Sequence, residues 1–281
     1  MNYERSMTKN KKILITGCSS GIGKSLLIKL LKNNYNVIAV CRNPAKINII
    51  YKMYRKNLTI IKCDLINIKS VKILIQKLNK IKKIDILINN AGSISVKDKK
   101  VFSGLNETFF LNFFIPVLLI VKLKKKFNKN KKNLIINIGS NAAKIISLDE
   151  HDLNFKEYYF WYMNYCKSKL YLLYLTKKLS MMFSKNIDIC YVHPGLVKSN
   201  IAKNLPLIYR IVFFFTNFCY GINPNVSANY IYDIIIKKIK KNGMYFDFKK
   251  KLTSNKINLK DIFLKKIWNN LKIKILHFDN I

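Results

Sequence analysis

Apolar residues in this chain gather in short continuous runs closed by glycine, asparagine or a charged residue; between the runs they recur three and four positions apart. Short closed runs suit strands buried on both faces, and the wider spacing marks helices with one apolar side. Strands are predicted at 12–16, 36–41, 58–63, 84–88, 134–138, 187–192 and 244–248. Helices are predicted at 24–33, from near 68, at 103–127, 157–184, 225–241 and 259–275, the last with Leu259, Phe263, Ile267, Leu271 and Ile275 on one stripe. Strand and helix alternate, which predicts an α/β fold around a parallel sheet.

The first strand runs straight into Gly17-Cys-Ser-Ser-Gly21-Ile-Gly23, and a helix with Leu26, Leu27, Leu30 and Leu31 follows. Glycines let the backbone turn tightly against a diphosphate, while the free N–H groups at the helix start face that anion. The fold class is therefore a Rossmann-type doubly wound parallel sheet of about seven strands, in a single domain spanning 1–281. Arg42, directly after the second strand, stands where such folds meet the adenosine ribose; it would attract a 2′-phosphate, or be a solvated arginine. Asp64 ends the third strand and would accept the adenine amino group or cap the next helix. Asn89-Asn90-Ala91-Gly92 ends the fourth, small enough for a cofactor to pass close to the backbone.

Tyr165 and Lys169 lie four apart on the predicted helix 157–184, so phenol and ammonium project from one face. A lysine beside a tyrosine favours the phenolate and would bring a pKa of about 10 closer to working pH. Tyr174 and Lys178 share the spacing, but nine positions beyond Tyr165 is about 900° of helical rotation, so that pair faces away. Ser140 ends the fifth strand, where open α/β sheets keep their chemistry, or is a turn residue. Asn112, inside an apolar helix, must satisfy backbone groups or hold an ordered water, and Pro116 predicts a kink. His193 reads as structural. The aromatic segment 200–222, with Phe213, Phe214, Phe215 and Phe218, reads as a lid over the site or as an ordinary core helix.

Composition alters this picture little. Half of the 281 residues are apolar, enough for a sizeable core. A net charge of +38 would suggest nucleic acid or anionic lipid, but the lysines run along the whole chain beside an excess of asparagine and isoleucine, which reads as compositional drift. Six scattered cysteines lack the spacing of a zinc site, which implies a reducing compartment and no metal. The polar start shows no signal peptide, and the apolar stretches 109–121 and 205–220 fall short of the ~18 uninterrupted residues of a membrane span, so a cytoplasmic location is expected, with peripheral membrane contact left open.

Thr16-Gly-Cys-Ser-Ser-Gly-Ile-Gly23, Asp64, Asn89-Asn-Ala-Gly92, Asn112, Ser140, Tyr165-x-x-x-Lys169 and Pro194-Gly195, in this order, resemble the short-chain dehydrogenase/reductase family. Cys41-Arg42-Asn43, Tyr165-Cys-Lys-Ser-Lys-Leu170 and His193-Pro-Gly-Leu-Val-Lys-Ser199 look like its retinol dehydrogenase-type branch. Ile115 and Pro116 depart from the small residue usual after the helix asparagine, Ser199 replaces a threonine, and no membrane-anchoring N-terminus is seen. The resemblance implies NADP(H), preferred over NAD(H), held by Thr16, Gly17, Ser19, Ser20, Gly21, Ile22, Gly23, Arg42, Asp64, Asn89, Ala91, Gly92, Tyr165, Lys169, Pro194, Gly195 and Ser199. It implies Tyr165 as acid/base, Ser140 orienting the substrate oxygen, Lys169 on the nicotinamide ribose and lowering the tyrosine pKa, and Asn112 placing a relay water. The expected partner is a small lipophilic carbonyl or alcohol, acyl-chain and steroid-like carbonyls included; no nucleic acid is expected, and a homodimer stays open. The competing class is an inactive binding protein on the same fold that engages nucleic acid or anionic membrane.

Overall fold

The computed structural model describes residues 11–96, 99–128, 131–147, 160–183, 186–198, 205–211, 221–250, 254–256 and 261–281. The strands are β1 (Lys12–Thr16), β2 (Asn36–Cys41), β3 (Leu58–Lys62), β4 (Ile86–Asn89), β5 (Lys100–Phe102), β6 (Leu105–Asn106), β7 (Asn133–Ile138), β8 (Ile187–His193), β9 (Met244–Asp247) and β10 (Ser254–Lys256). The α-helices are α1 (Gly21–Lys32), α2 (Asn48–Tyr54), α3 (Ile68–Asn79), α4 (Glu107–Phe109), α5 (Ile115–Lys122), α6 (Trp161–Met182), α7 (Pro224–Ile236) and α8 (Asp261–Asn280).

Among the described residues, eight strands form one sheet in the order β10-β9-β8-β7-β4-β1-β2-β3. All neighbours run parallel except β10, which pairs antiparallel with β9. From β1 the chain winds outward to β3, then crosses back to β4 on the other side of β1. The order reverses there, and the carboxyl ends of β1 and β4 open the crevice where such sheets bind ligands.

Burial follows the pleat. Ile13 and Ile15 join α1 and α7 in one core, whereas Leu14 joins α3, α5, α6 and α8 in the other. Ile267, Leu271 and Ile275 are buried as their spacing predicts, and Phe278 continues the stripe. A polar ladder crosses the second core: Asn89 Nδ2 donates to Asn137 Oδ1 at 2.8 Å, and Asn137 Nδ2 donates to Thr176 Oγ1 at 2.9 Å.

The predicted helix 103–127 is broken up. Its first residues belong to the β5–β6 hairpin, and a π-helical turn, Phe110–Phe114, joins α4 to α5. Pro116 has no N–H for the carbonyl of Asn112, four residues back, so the ladder widens before the proline rather than kinking at it. No helix among the described residues is long and apolar enough to cross a membrane.

Candidate active site

The turn after β1 is built by close approach. Gly17 has φ +69°, and a Cβ on Gly23 would stand 2.3 Å from the Gly17 carbonyl oxygen and 2.5 Å from Asn90 Nδ2. Asn90 Nδ2 donates to the carbonyls of Thr16 and Gly17, at 2.9 and 3.1 Å, which holds the turn against the end of β4. Ser20 occupies the N-cap of α1 but its hydroxyl makes no capping bond, and the first turn carries no acidic residue. The leading amides of a helix have no acceptor within it, so this end offers donors and a positive dipole to an anion. Gly17, Ser19, Ser20, Gly21, Ile22 and Gly23 thus fit a diphosphate. Arg42 is exposed at the end of β2, a geometry open to a 2′-phosphate.

Thr16 and Asn89 point elsewhere than expected. The Thr16 hydroxyl is buried and accepts from the backbone N–H groups of Asn90 and Ala91, both at 3.1 Å. Asn89 belongs to the buried ladder and donates weakly to the Pro116 carbonyl at 3.4 Å. Side chains alternate along a strand, so of two adjacent asparagines only one faces the glycine turn, and it is Asn90. Asp64 is not the helix cap: Asn67 caps α3 through Ser70, while Asp64 Oδ1 accepts from Ile66 N at 3.1 Å. Ala91 and Gly92 follow β4, and an ideal Cβ on Gly92 would lie 3.1 Å from Asn112 Oδ1 and 3.6 Å from Lys169 Nζ. Pro194 accepts from Ser227 Oγ at 2.8 Å and Gly195 has φ +90°. Ser199 and most of 200–222, with Phe213, Phe214, Phe215 and Phe218, lie outside the described residues; Leu205 is buried beside Tyr165.

The structure brings Ser140, Tyr165 and Lys169 together. Ser140 follows β7, and its hydroxyl reaches the Tyr165 phenol while accepting from Ala142 N at 3.1 Å. Lys169 Nζ lies 5.9 Å from the Tyr165 ring centroid and donates to the Ile138 carbonyl at 3.1 Å. Asn112 makes three bonds: Oδ1 accepts from Ser93 N at 2.9 Å, and Nδ2 donates to Ser93 O at 2.8 Å and Ser168 Oγ at 3.2 Å. Its side chain therefore satisfies protein groups, the backbone of Ser93 and the hydroxyl of Ser168. Ser168 passes the tie on by donating to the Tyr165 carbonyl at 2.8 Å.

The electrostatics correct one expectation. Burial pushes the Tyr165 phenol up to about 12, although the bond from Ser140 pulls the other way. Burial also lowers the Lys169 ammonium to about 8. Both groups lie in a nearly dry wall where either charge is costly, so spacing alone misjudged the direction for Tyr165. His193 is structural: Nδ1 accepts from Asn141 N at 3.2 Å, and burial holds its pKa at about 4.

Asn90 and Tyr191 escaped the sequence reading. Asn90 was visible within its tetrapeptide, and the pleat would have singled it out. Tyr191 lies inside an apolar strand, and only the sheet register shows what it meets: Asn137↔Tyr191 and Ile138↔Val192 put its ring beside Gly139.

A sheet whose order reverses beside a glycine turn, with a serine, a tyrosine and a lysine at the crevice, defines the dinucleotide-binding α/β class. The chain belongs to the short chain dehydrogenase family, whose match covers residues 11–207. Retinol dehydrogenase 13 of Mus musculus is 29% identical over 202 residues, which are 69% of this chain and 60% of that protein. Retinol dehydrogenase 12 of Mus musculus is 31% identical over 211 residues, 72% of this chain and 67% of the relative. The chain thus spans 60% of the length of the former. A short-chain dehydrogenase from Sphingobium yanoikuyae in complex with NADPH has a TM-score of 0.67 at 18% identity, covering 84% of this chain and 87% of that one. A 4-hydroxyisoleucine dehydrogenase complexed with NADH has a TM-score of 0.64 at 24% identity, covering 85% and 96%. These two likenesses concern the fold.

Proposed function

We propose that the protein is an NADP(H)-dependent oxidoreductase interconverting a lipophilic alcohol and its aldehyde or ketone. The observation that carries this reading is the Tyr165 phenol, within reach of the Ser140 hydroxyl, with Lys169 one turn along α6. When bound, the nicotinamide cofactor supplies or accepts the hydride. Tyr165, hard to ionise, keeps its proton at neutral pH and gives it to the carbonyl oxygen in reduction. Ser140 holds that oxygen: its own oxygen accepts from Ala142 N, which leaves the hydroxyl proton free to be donated. Lys169 would hold the nicotinamide ribose, and the Asn112 carbonyl, which Pro116 denies the donor four residues on, would accept from a relay water.

Substrate class rests on the wall around Tyr165. Ile94, Ala142, Cys166 and Leu205 are buried against it, with Val96, Ile146, Trp161 and Tyr162 half-buried around them. Such a wall favours an apolar chain or ring beside the reacting carbon. The preference for NADP(H) rests on Arg42, a guanidinium placed for a phosphate.

NADPH oxidation measured across aldehydes and ketones of increasing chain length tests the reading. Turnover should rise with chain length, and Tyr165→Phe should lower it by about 10²- to 10⁴-fold while NADPH still binds. Wild-type turnover in that variant rules the mechanism out. Salt-sensitive polynucleotide binding without NADPH binding would favour the inactive binding protein instead.

A further inference from the structure

We propose that Tyr191 is a positioning residue for this site: its hydroxyl fixes the backbone of Ser140 and links it to α6 at Lys169, and Gly139 is the gap that admits its ring. The proposal rests on the role given above to Ser140.

Ser140 has just left β7, with extended backbone angles of φ −154° and ψ 152°, and its backbone needs partners outside the ladder. The Tyr191 oxygen meets both groups, and the carbonyl also accepts from Ala143 N at 3.2 Å. Ser140 N donates to the Tyr191 hydroxyl at 2.9 Å, and that hydroxyl donates to Ser140 O at 3.0 Å, shared with Lys169 O at 3.3 Å. A single phenol thus touches both backbone groups of the residue set to orient the substrate oxygen, and the carbonyl of the residue set on the ribose.

The ring is held as closely as the hydroxyl. A Cβ on Gly139 would lie 1.9 Å from Tyr191 Cζ and 2.4 Å from its oxygen, so no other residue fits at 139 without moving the phenol. The ring also stacks on Tyr245, with centroids 5.5 Å apart and planes at 25°. Tyr245 in turn donates its hydroxyl hydrogen bond to Asn141 Oδ1. Two tyrosines from adjacent strands therefore support residues 140 and 141 from beneath. Tyr191 is fully buried, and burial raises its pKa well above the ordinary value, so it stays a fixed dipole rather than a proton donor.

Tyr191→Phe keeps the ring and its stack and removes only the oxygen. In this variant kcat for carbonyl reduction should fall about tenfold to a hundredfold, as expected for a misplaced reacting group, with KM and NADPH affinity little changed. A residue that merely stabilised the fold would add its effect to any background. Here the loss should vanish when Ser140 is already alanine, because Tyr191 acts through Ser140. Gly139→Ala should reproduce the kcat loss, and the Ser140 amide, deprived of its acceptor, should exchange faster in Tyr191→Phe. Wild-type kcat in Tyr191→Phe beside an inactive Ser140→Ala overturns the Tyr191 assignment alone, as does an additive double variant or unchanged Ser140 exchange. Wild-type kcat in Ser140→Ala overturns the reading of the site itself, and this proposal with it.

Discussion

The side-chain amide of Asn90 bridges the gap between β4 and the glycine turn, donating to the carbonyls of Thr16 and Gly17 at 2.9 and 3.1 Å. It therefore ties the shape of the glycine turn to the end of β4. Asn90→Ala should leave those acceptors poorly satisfied at a cost of about 1–3 kcal/mol. Part of that loss should appear as weaker NADPH binding, read by titration, and part as a lower unfolding midpoint. Unaltered cofactor affinity would show that the turn holds its shape by its glycines alone.

Arg42 is exposed and directly follows β2. Arg42→Ala should weaken NADPH by about tenfold to a hundredfold, the worth of a hydrogen bond to a charged group, and should barely affect NADH. Dissociation constants for both cofactors check this, and equal weakening would remove the argument for NADP(H).

Lys169 gives a pH dependence with a definite sign. Its pKa is lowered from 10.5 to about 8 by burial, so between those values the unfolded chain binds a proton that the folded chain has released. Stability contributed by this group therefore rises with pH across that window, and below it the folded state bears the cost of a buried charge. Lys169→Met should be more stable than wild type near neutral pH, by on the order of 3 kcal/mol. The gap should shrink as pH climbs past 8 towards 10.5. Urea unfolding of both proteins across this range measures it, and a gap that does not change with pH counts against the assignment.

Asn137 is fully buried and bonds to both Asn89 and Thr176. Asn137→Ala leaves Asn89 without its main acceptor and opens a cavity, which should destabilise the fold by about 2–4 kcal/mol. Chemical denaturation measures the loss; an effect confined to cofactor binding would mean the ladder serves the site rather than the core.

Strands were legible because parallel strands buried on both faces are written as short apolar runs: the predicted 12–16 and 36–41 coincide with β1 and β2. The antiparallel β10 and the β5–β6 hairpin carry no such run and went unread. Pro116 announced an irregularity, but a missing N–H is felt four residues upstream, which is why the wide turn centres on Asn112. The spacing of Tyr165 and Lys169 gave their shared face. It could not give their pKa directions, which depend on how dry the wall is once Ile94, Ala142 and Leu205 close on it. Tyr191 was hidden for a similar reason, since its meaning depends on the neighbouring strand and on a side chain Gly139 lacks.

The missing cap on α1 has a consequence for the protein's lifetime. A helix whose N-cap serine makes no bond is short of acceptors at its start, and an anion seated there would complete it. Cofactor would then be a structural component as well as a reactant. At a free concentration 100 times its dissociation constant, a ligand bound only by the folded state adds about 2.7 kcal/mol of stability. The amount of folded protein would follow the size of the coenzyme pool, and a chain starved of coenzyme would be the first exposed to proteolysis.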